Sequence, residues 1–248
     1  MNTKLENRLS KLSEVLSIKE DCLGLLALGS CAEIERLDEF SDLDFFVIVR
    51  EDKQKDYLNN LDWLAECAPL RYVFRNTVDG YKIMWEDGIY AEFAVFEYNQ
   101  INNIPFSKGK FLFKREGYNL IDTPVLAYPR LHQEADFSIN EVLTNLYVGL
   151  SRYHRGEKLS ALRLIQVLAI DRILEMNRQT NNPNYDLFSL ERRVEFNHPE
   201  LTTLIQASNL GYDHIKESAQ FILSYIKTIA ELNPMMVNEI ERLINLQD

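Results

Sequence analysis

The chain has 248 residues, 46% of them hydrophobic, and a formal net charge of −11. That size allows one or two domains with a substantial core, and the acidic balance argues against an extended nucleic-acid partner, whose phosphates need Lys and Arg to displace counterions. No stretch approaches the roughly 18–20 apolar residues that span a bilayer, no leader-like run opens the chain, and Cys22, Cys31 and Cys67 form no C-x-x-C pair; a cytoplasmic protein with structural thiols and no membrane partner is expected.

In chain order, Leu5, Leu9, Leu12, Val15 and Leu16 recur at three-and-four spacing and predict a helix over Thr3 to Leu16. The apolar runs Leu23 to Leu28 and Leu43 to Val49 read as buried strands. Tyr57, Leu58, Leu61 and Leu64 predict a helix between Asp52 and Ala65, which Pro69 ends. Strand signals then return at Arg71 to Asn76, Lys82 to Trp85, Ile89 to Glu97 and Tyr118 to Ile121, with Asp79-Gly80 and Asp87-Gly88 as hairpin turns. Near Ala135 the pattern becomes wholly helical. Ser138 and Glu141 read as a capping box before a long helix, Gly156 breaks it, and a second helix spans about Glu157 to Arg178. Thr180 to Asp186 reads as a loop, and helices follow at Thr202–Ala207, His214–Glu231 and Met236–Leu246. The fold class is therefore α+β, a mixed sheet with flanking helices over residues 1–135 and an all-helical bundle over 136–248.

The chemistry is concentrated in Leu26 to Val49, LALGSCAEIERLDEFSDLDFFVIV. Asp42 and Asp44 are two apart at a strand entrance, so both carboxylates face one side of the sheet while Leu43 faces the other. Paired hard oxygen donors of this kind suit Mg²⁺, which takes one or two carboxylates and fills its remaining positions with phosphate oxygens. Gly29 allows the backbone to approach a phosphate, and Ser30 can donate to it. Glu92 interrupts the apolar run Ile89 to Phe96, where a carboxylate needs a metal or partner to balance it, so it is the candidate third acid, as metal ligand or as base for an acceptor hydroxyl. Lys108, Lys110, Lys114 and Arg115 could reach bound phosphates but read mainly as a solvated basic face, and Arg192, Arg193 and Glu195 read either as a surface ion-pair helix or as a segment closing over the phosphate-bearing substrate. His132, His154, His198 and His214 have no metal-ligand spacing.

A strand ending in Gly29-Ser30, then Ser41-Asp42-Leu43-Asp44 on an apolar strand and Glu92 on a later one, resembles the polymerase-beta-type nucleotidyltransferase superfamily. A small α/β domain followed by a helical one is similar, within that superfamily, to the lincosamide and aminoglycoside nucleotidyltransferases. The resemblance implies metal binding by Asp42, Asp44 and Glu92, and nucleotide contacts from Gly29, Ser30 and Ser41. It implies Mg²⁺ as cofactor, ATP or another nucleoside triphosphate as substrate, and a small-molecule acceptor. The acidic net charge suits an amine-bearing acceptor. Nucleotidylation of a protein or tRNA target, and a non-catalytic module that keeps the fold, are the alternatives. Where family members often have small or basic residues after the Gly-Ser, this chain has Glu33 and Glu35, which would weaken triphosphate binding if they pointed inward.

Overall fold

The computed structural model describes residues 4–125, 134–177 and 189–247. The chain divides into two compact units, Met1–Tyr128 and Pro129–Asp248. The first is a mixed sheet with flanking helices and the second a helical bundle, as the change of periodicity near Ala135 leads one to expect.

The first unit opens with α1 (Lys4–Ser17) and β1 (Cys22–Ala27), then the single turn α2 (Gly29–Ala32) and β2 (Leu43–Val49). The short helices α3 (Gln54–Asn59) and α4 (Asp62–Ala65) follow, then β3 (Leu70–Phe74), β4 (Gly80–Trp85), β5 (Tyr90–Glu97) and β6 (Lys110–Lys114). The sheet order is β3-β4-β5-β2-β1-β6. Only the β2–β5 pair among these neighbours is parallel, and it needs a crossover, which the segment from α3 to β4 supplies.

Alternation along the strands gives the sheet two unlike faces. On one, Leu43, Phe45, Val47, Ala91, Phe93, Val95, Ile83 and Trp85 pack under α1, α3 and α4. Phe93 lies at the centre of this layer, stacked on Phe45 at 5.4 Å and on Tyr81 at 5.8 Å, with the Trp63 ring edge-on at 5.2 Å. Aromatic pairs of this kind contribute about 0.5–1.5 kcal/mol each beyond the area they bury. On the other face Ile48, Leu23 and Leu26 are covered by Ile101, Phe106 and Leu120. The same face at its opposite end carries Asp44, Glu92 and Lys82, all half-exposed, together with the exposed Met84, Tyr72 and Phe74.

Several expectations are corrected. The helix expected between Asp52 and Ala65 is two, because the Asn60 side chain accepts from the Asp62 N–H at 2.7 Å and starts the second one. Tyr118 to Ile121 is no strand. The sixth strand is Lys110–Lys114, which adds to β1 as an edge with Lys110 and Lys114 exposed, a protection against further pairing. Arg115 has left the basic face altogether: it donates to the carbonyls of Ser17, Lys19 and Cys22 and ties the end of β6 to the α1–β1 connection.

In the second unit α5 (Ala135–His154) precedes Gly156, whose φ of +82° ends the helix as expected. Ser138 is not a cap. Its residue is 1% exposed inside the first turns of α5, and Glu134 takes the cap position. The second helix is α6 (Lys158–Leu162) running through a π-helical segment, Arg163–Leu168, into α7 (Ala169–Asn177). That segment holds the buried Gln166, whose amide donates to the Gly211 carbonyl and the Ser218 hydroxyl while its oxygen accepts from the Gly211 N–H. After α8 (Val194–Asn197) come α9 (Thr202–Ser208), α10 (Ile215–Ile229) and α11 (Pro234–Asn245); Asn233 caps α11 by accepting from Met235 and Met236 N–H, with Pro234 in the first helical position. The loop expected at Thr180 to Asp186 lies outside the described residues. No helix among the described residues is long and apolar enough to cross a membrane.

Because Phe93 joins β2, β4 and the helical layer, Phe93→Ala is expected to destabilise the first unit by about 3–5 kcal/mol. Urea unfolding followed by tryptophan fluorescence, with Trp63 and Trp85 both in this layer, measures it; a loss below about 1 kcal/mol would contradict this packing account.

Candidate active site

The Gly-Ser turn and the Asp-x-Asp segment are one local unit although a loop separates them in sequence. Gly29 has φ +53°, a conformation that costs an L-residue roughly 1–2 kcal/mol. A side chain there would also bring its Cβ to 3.2 Å from Asp44 Oδ2, so glycine is favoured by the backbone and a Cβ would press the carboxylate aside by a few tenths of an ångström. The Leu28 N–H donates to the Asp44 carbonyl at 2.9 Å, and the Cys31 thiol donates to the Asp42 carbonyl at 3.4 Å. Both aspartates are thus fixed through their backbones to the turn carrying Gly29 and Ser30, while Asp42, Asp44, Gly29 and Ser30 all stay partly exposed.

Ser41 serves the loop. Its hydroxyl donates to Asp38 Oδ1 and accepts from the Asp38 N–H, both at 3.0 Å, and the Phe40 N–H donates to the same carboxylate oxygen at 2.9 Å. This closed turn delivers the chain to Asp42. The acidic loop residues Glu33 and Glu35 are exposed, and Glu33 is paired with Arg36 at 3.1 Å, so the charge that sequence places beside the turn is in part neutralised locally.

Glu92 lies where the sequence reading put it, on the strand next to β2. The parallel register pairs Asp44 with Glu92, and the antiparallel register of β4 and β5 pairs Glu92 with Lys82, so the three side chains form a row across three strands on one face. Glu92 Oε2 is 3.2 Å from Lys82 Nζ, and Oε1 accepts from Asn76 Nδ2 at 2.9 Å. The hydrogen bond to Glu92 raises the Lys82 ammonium above its ordinary value. Tyr90, one position along the same face of β5, is raised chiefly by burial, with the Glu92 and Asp42 carboxylates adding to it and Lys82 opposing. Among the described residues no three His, Cys, Asp or Glu side chains converge into a ready metal site. Asp44 lies on β2 and Asp42 just before its first residue, and the oxygens of Glu92 are engaged by Lys82 and Asn76.

Sequence reasoning missed Lys82 and Asn76. The alternation of β4 could have placed Lys82 on the face of Glu92; nothing in the pattern of the Asn76 turn marks it. The acids of the neighbouring turn are paired, Glu86 with Arg71 at 3.0 Å and Asp87 with the buried Arg8 at 2.8 Å, and Arg8 also lies 4.4 Å over the Trp85 ring. Trp63 and Trp85 are core residues with their indole N–H groups on the Tyr57 and Leu64 carbonyls. His154 binds the Leu243 carbonyl, and His198 and His214 pair with Glu200 and Glu217; His132 lies outside the described residues. Arg193, at φ +63°, occupies the position before α8. In the helical unit a cavity of about 330 Å³ is lined by Asp171, Glu191 and Glu195 together with Val167, Ile170 and Leu174. Burial, reinforced by Glu191, raises the Asp171 carboxyl above the usual range.

The thiols are structural. Burial pushes Cys22 and Cys31 up to about 12, and Cys67 to about 11. A raised thiol stays protonated, and the thiolate is the nucleophile, so at pH 8 the native protein is expected to resist iodoacetamide at Cys22 and Cys31 and to be alkylated there only on unfolding. Rapid native labelling of Cys31, read by mass spectrometry, would show that the turn beneath Asp42 opens. Gly29→Ala is expected to lower stability by about 1–2 kcal/mol from backbone strain; urea titration that finds no change would mean the turn relaxes freely.

No protein-family model and no curated protein sequence matches this chain. Among solved structures it is similar to an aminoglycoside 6-adenyltransferase from Bacillus subtilis, at 12% identity and a TM-score of 0.34, over 100% of this chain and 94% of that one. It is also similar to a nucleotidyltransferase-like protein from Exiguobacterium sibiricum, at 12% identity and a TM-score of 0.35, over 96% of this chain and 74% of that one. The reading of the site rests on the residues above.

Proposed function

We propose that the protein is a Mg²⁺-dependent nucleotidyltransferase that moves AMP from ATP to a hydroxyl of a small, amine-bearing molecule. The observation that carries this reading is the packing of the Gly29 turn on the Asp44 carboxylate, with Glu92 in register on the next strand. Such an arrangement suits a phosphate chain laid against a glycine backbone and beside two hard oxygen donors.

In the reaction an acceptor oxygen bonds to the α-phosphorus while the bond from that phosphorus to the bridging oxygen breaks. Pyrophosphate leaves with the electron pair, and the hydroxyl proton passes to Glu92. A carboxylate has about four lone-pair positions, so the bonds from Asn76 and Lys82 leave room for this proton. Asp42 and Asp44 hold the cation, Gly29 lets the backbone approach the phosphates, and Ser30 donates to them. When bound, Mg²⁺ supplies neutralisation of the phosphate oxygens, the main requirement of such a transfer. Support for a cationic acceptor comes from the net charge of −11.

The test is transfer of label from α-labelled ATP to amine-bearing hydroxylated compounds. Wild type is expected to give a labelled small product and pyrophosphate, and Asp42→Asn/Asp44→Asn to reduce the rate by more than about a hundredfold, the scale of an essential electrostatic group. Label recovered on a macromolecule would replace the small acceptor by a protein or tRNA. Transfer from γ-labelled ATP, or equal activity in the double variant, would refute nucleotidyl transfer at this site.

A further inference from the structure

On its outer side the Gly-Ser turn borders a cavity of about 280 Å³, enclosed between α1, the turn and β6. The apolar wall is Leu9 of α1, Cys31 of the turn, Leu37 of the loop that follows and Leu112 of β6, and of these Leu9 and Cys31 are buried. Volume limits what can enter. An apolar cavity of roughly 150 Å³ takes a benzene ring, so this one suits a body of about ten heavy atoms and is too small for a nucleotide.

The space has a local cause. Leu5, Leu12 and Leu16 belong to the stripe of α1 that is buried in the core, whereas Glu6, Ser10 and Ser13, four and three residues apart, form a neighbouring stripe that lines the cavity. Two short hydroxyl side chains thus stand where longer ones would close the gap against β6.

Charge at the rim is unequal. Glu6 has a partner within the protein. Lys110, the first residue of β6, is exposed, and among the described residues its ammonium enters no ion pair. An uncommitted ammonium and two hydroxyls at the edge of an apolar cavity offer donors to a carboxylate and a wall to whatever apolar group the carboxylate carries.

We infer that this cavity binds a small monocarboxylate with an apolar body of about ten heavy atoms, its carboxylate at Lys110, Ser10 and Ser13 and its body against Leu9, Cys31, Leu37 and Leu112. The occupant bears on the candidate active site without entering it. Cys31, whose thiol donates to the Asp42 carbonyl, is part of the wall, and Leu37 immediately precedes the Asp38–Ser41 turn that delivers the chain to Asp42. Binding here requires nothing of the nucleotidyl-transfer reading, since neither Asp42, Asp44 nor Glu92 lines the cavity.

The test is calorimetric titration of the full chain with 3-phenylpropanoate, 3-phenylpropan-1-ol and 3-phenylpropylamine, probes of one shape that differ in charge, in wild type, Lys110→Glu, Lys114→Glu and Ser13→Phe. Thermal unfolding verifies each fold. Wild type is expected to bind the carboxylate with a dissociation constant in the low-millimolar range or below, the scale for about eleven heavy atoms of ordinary efficiency. It is expected to prefer the carboxylate to the alcohol by at least about threefold, the scale of a part-exposed ion pair, and to bind the amine more weakly still. Lys110→Glu reverses the order, so that the amine binds better than the carboxylate. Lys114→Glu, at the other end of β6, keeps the wild-type order, and Ser13→Phe fills the cavity and removes binding of all three. Hydrogen exchange locates the occupant: the carboxylate slows exchange of the Cys31 and Glu33 amides, which donate to the Leu28 and Ser30 carbonyls.

Equal affinity for carboxylate and amine, an order unchanged by Lys110→Glu or reversed as well by Lys114→Glu, or exchange at the turn unaffected by the carboxylate overturns the inference. So does the absence of binding by the folded wild type at about ten millimolar carboxylate. If Ser13→Phe does not fold, the charge reversal at Lys110 decides.

Discussion

The register between β2 and β5 is the constraint on which the candidate site depends. Side chains alternate along a strand, and a one-residue slip of β2 would send Asp44 into the helical layer and bring Phe45 out of it. The Phe45–Phe93 stack, with Trp63 and Tyr81 around it, resists that slip from the core side. Packing on one face thereby places chemistry on the other. The parallel pairing adds to this, since it brings Asp44 and Glu92 abreast near the ends of their strands where the sheet is not covered by the Ile101–Leu120 segment.

Position within the site is set mainly by backbone contacts. The turn of Leu28 to Cys31 takes up the carbonyls of both aspartates, Gly29 leaves space against Asp44, and the Asp38–Ser41 turn brings the chain in at the correct place. Electrostatics then divides the acids. Glu33 has Arg36 and Glu92 has Lys82, and Asp44 is the member of the row that lies next to the glycine turn.

Much of this was legible in the sequence, and the exceptions have physical causes. The strand Leu43–Val49 carries apolar side chains at nearly every position and was read to its ends, and Glu92 stood out because a carboxylate breaks an apolar run. The strand Lys110–Lys114 was hidden because its lysines read as a basic face, though an edge strand with one exposed side favours them. Ser138 has the spacing of a cap, but the helix starts earlier because Glu134 provides the extended residue. The π-helical turn around Gln166 has the same apolar periodicity as its flanks and shows only through the long-range bonds to Gly211 and Ser218. Lys82 and Asn76 escaped for a similar reason: their meaning lies in which strand stands beside which, and periodicity gives faces without giving neighbours.

The central claim is that the Gly29 turn and the Asp42–Asp44 pair form one site for a metal-bound triphosphate. Calorimetric titration of ATP with Mg²⁺ into wild type and Asp42→Asn/Asp44→Asn tests it most directly. Binding that requires Mg²⁺ and disappears in the double variant, with its thermal unfolding unchanged, is the result this account predicts. Binding that survives in the variant, or that ignores Mg²⁺, would contradict it.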